Sequence, residues 1–169
     1  IGLNDTFNEL HTLYHTAKKK ASDIMRRCGQ LTILLGSRKY AIIESLDNKI
    51  LFLDIESGPN LGYSWGKWEQ NILTFEKEWD LLCVGYKWLG ESVHVAALPD
   101  FKNEKALLMF VWKLLDRAEV VVAHNGDAFD LKKLNAKFVF YNIGPPSPYR
   151  TVDTLKIARR YFAFNGNKL

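Results

Sequence analysis

Ile50-Leu51-Phe52-Leu53-Asp54-Ile55-Glu56 is the stretch on which the fold turns. Its first four residues are apolar on both faces of an extended chain, as a central strand of a covered sheet requires. The run then ends on two acids. Side chains alternate along a strand, so Asp54 and Glu56 share the face that carries Ile50 and Phe52. Two like charges there repel and lose hydration, which is costly unless a cation or hydrogen-bond donors compensate. Divalent cations such as Mg²⁺ and Mn²⁺ take carboxylate oxygens. The competing reading ends the strand at Asp54 and leaves both acids solvated, as the following Ser57-Gly58-Pro59 permits.

Working outward, Leu81 to Tyr86 and Ser92 to Ala96 read as the next two strands, with Gly90 in a hairpin-like turn between them. Ala106, Leu107, Phe110, Val111, Leu114 and Leu115 form a helical stripe behind an Asn103 cap. Glu119 to Ala123 is a β-branched run and reads as a strand. Asn125-Gly126-Asp127 breaks it, and Phe129, Leu131, Leu134 and Phe138 mark a second helix. Pro145, Pro146 and Pro148 impose a loop. Thr154 to Phe162 is a third helix with Asp153 at its N-cap. The order is strand, strand, strand, helix, strand, helix, helix. This is an α/β fold with a mixed sheet, antiparallel first and crossing over through helices later.

Residues 1–48 differ in composition. Leu10, Leu13, Tyr14 and Ala17 recur at helical spacing, among Lys18, Lys19, Lys20, Arg26 and Arg27. This predicts a basic helical extension, either a solvated helix face or an arm for nucleic acid. Leu31 to Leu35 and Tyr40 to Ile43 fit short strands or a continued helix. The expected division is therefore 1–48, extension, and 49–169, α/β domain.

The chain has 169 residues, 47% hydrophobic and 25% charged, with a net charge of +4. That excludes a collagen or low-complexity chain, and its mild basicity is compatible with a polyanionic partner. No apolar run reaches the length of about 18 residues that a membrane-spanning helix needs. Two cysteines, Cys28 and Cys83, make neither a disulfide framework nor a Cys-rich zinc site, so a reduced cytoplasmic setting is the default. His11 and His15 share a helix face but lack a third ligand. There is no GxSxG, Walker A loop, HExxH or catalytic Cys/His spacing. The chain opens on Ile1 and closes on Asn-Gly-Asn-Lys-Leu, which reads as a fragment.

The second constellation is Ala123-His124-Asn125-Gly126-Asp127-Ala128-Phe129-Asp130, between a buried strand and a helix. Asp54-Ile55-Glu56 followed by Asn125-x-x-x-Phe129-Asp130 resembles the DEDD exonuclease superfamily, which has the ribonuclease-H-like fold. The run His-Asn-Gly-x-x-Phe-Asp is most similar to the proofreading domains of family B DNA polymerases and their stand-alone phage and bacterial relatives. The resemblance covers residues 49–169. It implies a ribonuclease-H-like mixed sheet flanked by helices and a metal-dependent 3′→5′ exonuclease. Asp54, Glu56 and Asp130 would then be the catalytic, metal-holding acids. Ile55, Ser57, Asn125 and Phe129 would contact the 3′-terminal nucleotide.

Two Mg²⁺ or Mn²⁺ ions about 3.5–4 Å apart would activate a water and steady the leaving oxygen. The three acids are then expected to converge within reach of one cation. The implied partners are nucleic acid, preferably a single-stranded 3′ end, and a DNA polymerase or other replication protein, in a bacterial cell or phage-encoded. A fourth Asp, preceded by Tyr or His, is expected beyond Leu169, since Asp153 reads as a cap. The alternatives in the same fold are an inactive nucleic-acid-binding module and an endonuclease.

The remaining residues carry two readings each. His124 either contacts phosphate or is a satisfied strand-end histidine. Asp127 reads as the cap of the second helix. Tyr63, Trp65 and Trp68, with Lys67, either stack single-stranded bases or pack in the core or rim. Trp79, Trp88 and Trp112 read as core.

Overall fold

A computed structural model describes residues 49–68, 71–163 and 165–166. The expected basic extension over 1–48 lies outside the described residues. The elements are β1 (Ile50–Ser57), β2 (Leu61–Tyr63), β3 (Thr74–Lys77), β4 (Leu81–Trp88), β5 (His94–Ala97), α1 (Glu104–Arg117), β6 (Val120–Ala123), α2 (Asp130–Phe140), β7 (Arg150–Asp153) and α3 (Thr154–Tyr161). A single 3₁₀ turn, Leu98–Asp100, links β5 to α1.

Five strands form one sheet in the order β5-β4-β1-β6-β7. The pairs β1–β4 and β4–β5 are antiparallel, while β1–β6 and β6–β7 are parallel. The mixed sheet anticipated from sequence is present. Two features depart from the reading. β7 is an additional strand ahead of α3, and β2 and β3 pair as a separate two-stranded sheet. β2–β3 emerges from the end of β1 and returns into β4. Its base is closed by the bonds Gly58 N to Asp80 O (2.8 Å) and Trp79 N to Asn60 Oδ1 (2.8 Å).

The alternation in β1 divides the core. Leu51, Leu53 and Ile55 enter the larger cluster with Val84, with Leu107, Leu108, Val111 and Leu115 of α1, and with Leu131, Leu134 and Phe138 of α2. Ile50 and Phe52 face the other way, against Val122. Each such side chain contributes about 1.5–3 kcal/mol of burial. Asn103 caps α1 as predicted, its side chain accepting from Ala106 N. Gly90 turns the β4–β5 connection at φ +85°, a conformation that suits glycine.

One buried polar network crosses this core. Glu104, at the first turn of α1, accepts from Leu81 N at 2.7 Å, from the Tyr141 hydroxyl at 2.8 Å and from Lys137 Nζ. Its Lys137 ion pair, at 3.0 Å, is buried on both sides. The pair ties α1 to β4 and α2, and with these donors in place the charge is satisfied. Among the described residues, no helix is long and apolar enough to cross a membrane.

Candidate active site

The two sequence motifs meet at the end of β1. The β1–β6 ladder runs only from Ile50–Val120 to Phe52–Val122. Beyond it β6 ends at Ala123 and the chain turns away. A buried N–H on β1 past that point needs another acceptor. Asp130 supplies it: its Oδ1 accepts from Ile55 N at 2.9 Å, across 75 residues of sequence. The second-motif acid is thus docked on the peptide between Asp54 and Glu56.

Asp130 is 2% exposed. Burial pushes its carboxyl up to about 6, the charges of Glu56 and Asp153 add to the rise, and backbone hydrogen bonds offset part of it. Asp54 is buried, and the residue across from it on β4 is Gly85, so no side chain stands opposite it in that register. Glu56 is half-buried next to the irregularity where β1 shifts register.

The turn that delivers Asp130 is specified residue by residue. Asn125 has φ +64°, in the left-handed region that Asn tolerates better than most residues. Its carbonyl accepts from Ala128 N and Phe129 N, and the Gly126 carbonyl accepts from Leu131 N. A Cβ at position 126 would overlap the Ala123 methyl, so the close approach of turn to strand requires glycine. Asp153, at the end of β7, accepts from Asn125 N at 2.9 Å and from Leu155 N at 3.0 Å. It is the α3 cap expected from sequence, and it also holds the Asn125 turn.

His124 is engaged as a strand-end histidine, with Nδ1 2.9 Å from Thr154 Oγ1. Asp127 does not cap α2. The helix begins three residues later with Phe129 at the N-cap, and Asp127 instead pairs with Lys156 of α3. That ammonium holds the Asp127 carboxyl below its ordinary value.

The aromatics sort differently from the sequence reading. Trp65 is 82% and Trp68 87% exposed, on the connection between β2 and β3, and Tyr63 is exposed as well. Packing in the core or rim does not account for them. Lys67 Nζ lies 5.2 Å from the Trp68 ring centre. Trp88 is core, whereas Trp112, also read as core, is only partly buried against that cluster, its indole donating to Gly144 O. Trp79 is only part-buried and carries two ammonium groups on its ring, from Lys133 and Lys137. Phe129 is exposed at the mouth of the site, and Ser57 Oγ accepts from Lys133 Nζ at 2.7 Å. Lys133 was not singled out by sequence reasoning. Its signal was its place one helical turn after Asp130.

The donor set of Asp54, Glu56 and Asp130 is of the chemistry that hard divalent cations take. Among the described residues, no three Asp, Glu, His or Cys side chains lie grouped as an ion site as they stand.

Comparison with curated proteins gave no match. Among solved structures, the chain is similar to the family B DNA polymerase of the hyperthermophilic archaeon Pyrobaculum calidifontis, at 14% identity and a TM-score of 0.48. That similarity spans 66% of this chain but 16% of the polymerase. The model of the RNase_H superfamily matches residues 74–169, more than half of the chain and all of α1 to α3, although it begins past Asp54 and Glu56. With that match and, among the described residues, a mixed five-stranded sheet with three helices, the chain belongs to the ribonuclease H superfamily.

Proposed function

We propose that the chain is the nuclease domain of a metal-dependent 3′→5′ exonuclease of the DEDD type, acting on single-stranded DNA ends. The observation that carries the reading is the bond from Ile55 N to Asp130 Oδ1, which sets the acid of one motif against the backbone of the other. Asp54, Glu56 and Asp130 would hold the metal. When bound, divalent ions supply the charge that activates a water and stabilises the leaving 3′ oxygen.

The chain's own residues do the rest. The Ile55 N–H fixes Asp130, and the left-handed Asn125 sets the approach of the turn to β1. The exposed Phe129 ring offers a stacking face to the terminal base. The buried Asp130, with Glu56 and Asp153 acting on it as like charges, is an acid that a bound cation would stabilise in its charged form.

The test is cleavage by the full-length protein of a 5′-labelled single strand in Mg²⁺ or Mn²⁺. The reading expects stepwise shortening from the 3′ end that stops in EDTA and is lost in Asp54→Ala and Asp130→Asn. Cleavage of a circular single strand would assign an endonuclease instead. Binding without cleavage by the wild-type protein would assign a non-catalytic module. Undiminished turnover in both variants would overturn the assignment of the acids.

A further inference from the structure

We propose that Lys133 is a phosphate contact: its ammonium, held at the junction of Ser57, Trp79 and Phe129, receives a backbone phosphate of the nucleic-acid strand. The inference rests on the nucleic-acid reading above and adds to it a residue outside the two motifs. Phe129, Lys133 and Lys137 are spaced four apart and share one face of α2, with Asp130 beside them. Lys133 Nζ stands 4.1 Å from the Trp79 ring centre and 4.9 Å from that of Phe129. Among the described residues it donates one hydrogen bond, to Ser57 Oγ, the residue that follows Glu56. An ammonium has three N–H donors, so two remain for a ligand.

The two lysines on the Trp79 ring differ in their charge balance. Lys137 is 4.6 Å from the ring centre and is neutralised by Glu104 at 3.0 Å. Among the described residues the other ion pairs are Lys49–Glu119, Lys77–Asp80 and Lys156–Asp127, and Lys133 belongs to none. Partial burial and the neighbouring Lys137 charge hold the Lys133 ammonium below its ordinary value. A half-buried cation beside another cation, with no carboxylate of the described residues in contact, is an unfavourable arrangement that an incoming anion relieves.

The surroundings say which anion. An exposed aromatic face and a cation side by side are what a nucleotide needs: the base stacks on Phe129 while its phosphate meets Lys133. The position is one helical turn from Asp130 and one residue from Glu56. The phosphate would therefore lie at the mouth of the carboxylate site, on the side of the β2–β3 base.

The experiment measures binding of a fluorescent single-stranded oligonucleotide with a free 3′ end to the full-length protein, in Ca²⁺, across a salt series. Lys133→Met should weaken binding roughly tenfold at about 0.1 M salt and make the log K against log salt slope less negative by about 0.7. Lys133→Arg should keep most of the affinity. Lys132→Met, which removes the same charge from the adjacent exposed position, should leave affinity and slope nearly unchanged. If Lys133→Met fails to fold by circular dichroism, Lys133→Gln keeps a polar contact to Ser57 and is read in the same way.

A slope equal to that of the wild type in a folded Lys133 variant overturns the proposal and makes the residue a clasp between α2 and the β2–β3 base. So does equal loss in the Lys132 control, which would reduce the effect to net charge. The nuclease reading fails separately. Absence of turnover alongside a changed Lys133 slope removes the enzyme and keeps the phosphate contact. Turnover that depends on Asp130, with an unchanged slope, does the reverse.

Discussion

Replacing Asp130 by Asn should stabilise the metal-free protein at neutral pH. The carboxyl is 2% exposed and is pushed from 3.8 up to about 6, chiefly by burial, with Glu56 and Asp153 adding to the rise. A rise of about two units, at about 1.4 kcal/mol each, is about 3 kcal/mol at most. Because the folded value lies above the unfolded one, the neutral form is the one the fold prefers. Below about pH 4 the group is protonated in both states and costs nothing. The penalty grows as pH rises from about 4 to about 6 and is complete above that.

Asn is neutral at every pH and keeps an oxygen for the Ile55 N–H. The gain should therefore be up to about 3 kcal/mol at about pH 7.5 and should shrink toward zero at about pH 4. Urea denaturation in EDTA, followed by tryptophan fluorescence at three pH values, reads both. A variant less stable than wild type at neutral pH, or a gain that does not change with pH, would refute the reasoning. The first would mean that the fold needs Asp130 as an anion, the second that the gain does not come from the titration of its carboxyl. The same substitution is expected to abolish nuclease turnover, so stability and activity should move in opposite directions.

Glu104→Ala should destabilise by about 3–5 kcal/mol, because it strands buried Lys137 and removes the acceptor of Leu81 N; chemical denaturation checks this. Gly126→Ala should cost about 1–3 kcal/mol through its overlap with Ala123, and it should lower turnover by displacing Asp130; melting and cleavage assays read the two effects. Tyr141 has its hydroxyl pushed up to about 12 by burial and by Glu104, so its contribution is intact below about pH 10 and is lost as pH rises toward 12; Tyr141→Phe should flatten that alkaline loss in pH-dependent melting. Asp127→Ala should cost no more than about 1 kcal/mol, as for a surface ion pair rather than a helix cap, and the cost should disappear at strongly acid pH, where the wild-type carboxylate is also protonated.

What could be read from sequence was whatever burial had written into it. β1 is apolar on both faces because both are buried, one against α1 and α2 and the other with Val122, and its two acids stand out against that background. The stripes of α1 and α2 were legible for the same reason. β2 and β3 were not legible: all of β3 and most of β2 are exposed, so neither strand carries an alternation imposed by a core. β7 is four residues long, follows a proline-rich loop and is held largely by backbone pairing to β6, which leaves little mark on side-chain choice. Asp127 misled because the chain already turns like a helix from Asn125, although the regular helix begins at Asp130. The long-range partners were invisible for a different reason. Nothing in a linear pattern tells Lys137 to meet Glu104, or Lys133 to meet Ser57.

The double role of Asp153 bears on how the site opens. One carboxylate oxygen accepts both the Asn125 N–H of the site turn and the Leu155 N–H of the first turn of α3. Unwinding the start of α3 would withdraw that oxygen and free both amides in one event. In hydrogen exchange, Asn125 and Leu155 should then show matched protection although 30 residues separate them, and they should respond together to denaturant. The turn that carries the second motif thereby belongs to the same cooperative opening unit as the last helix, and its rigidity is set from the far edge of the sheet.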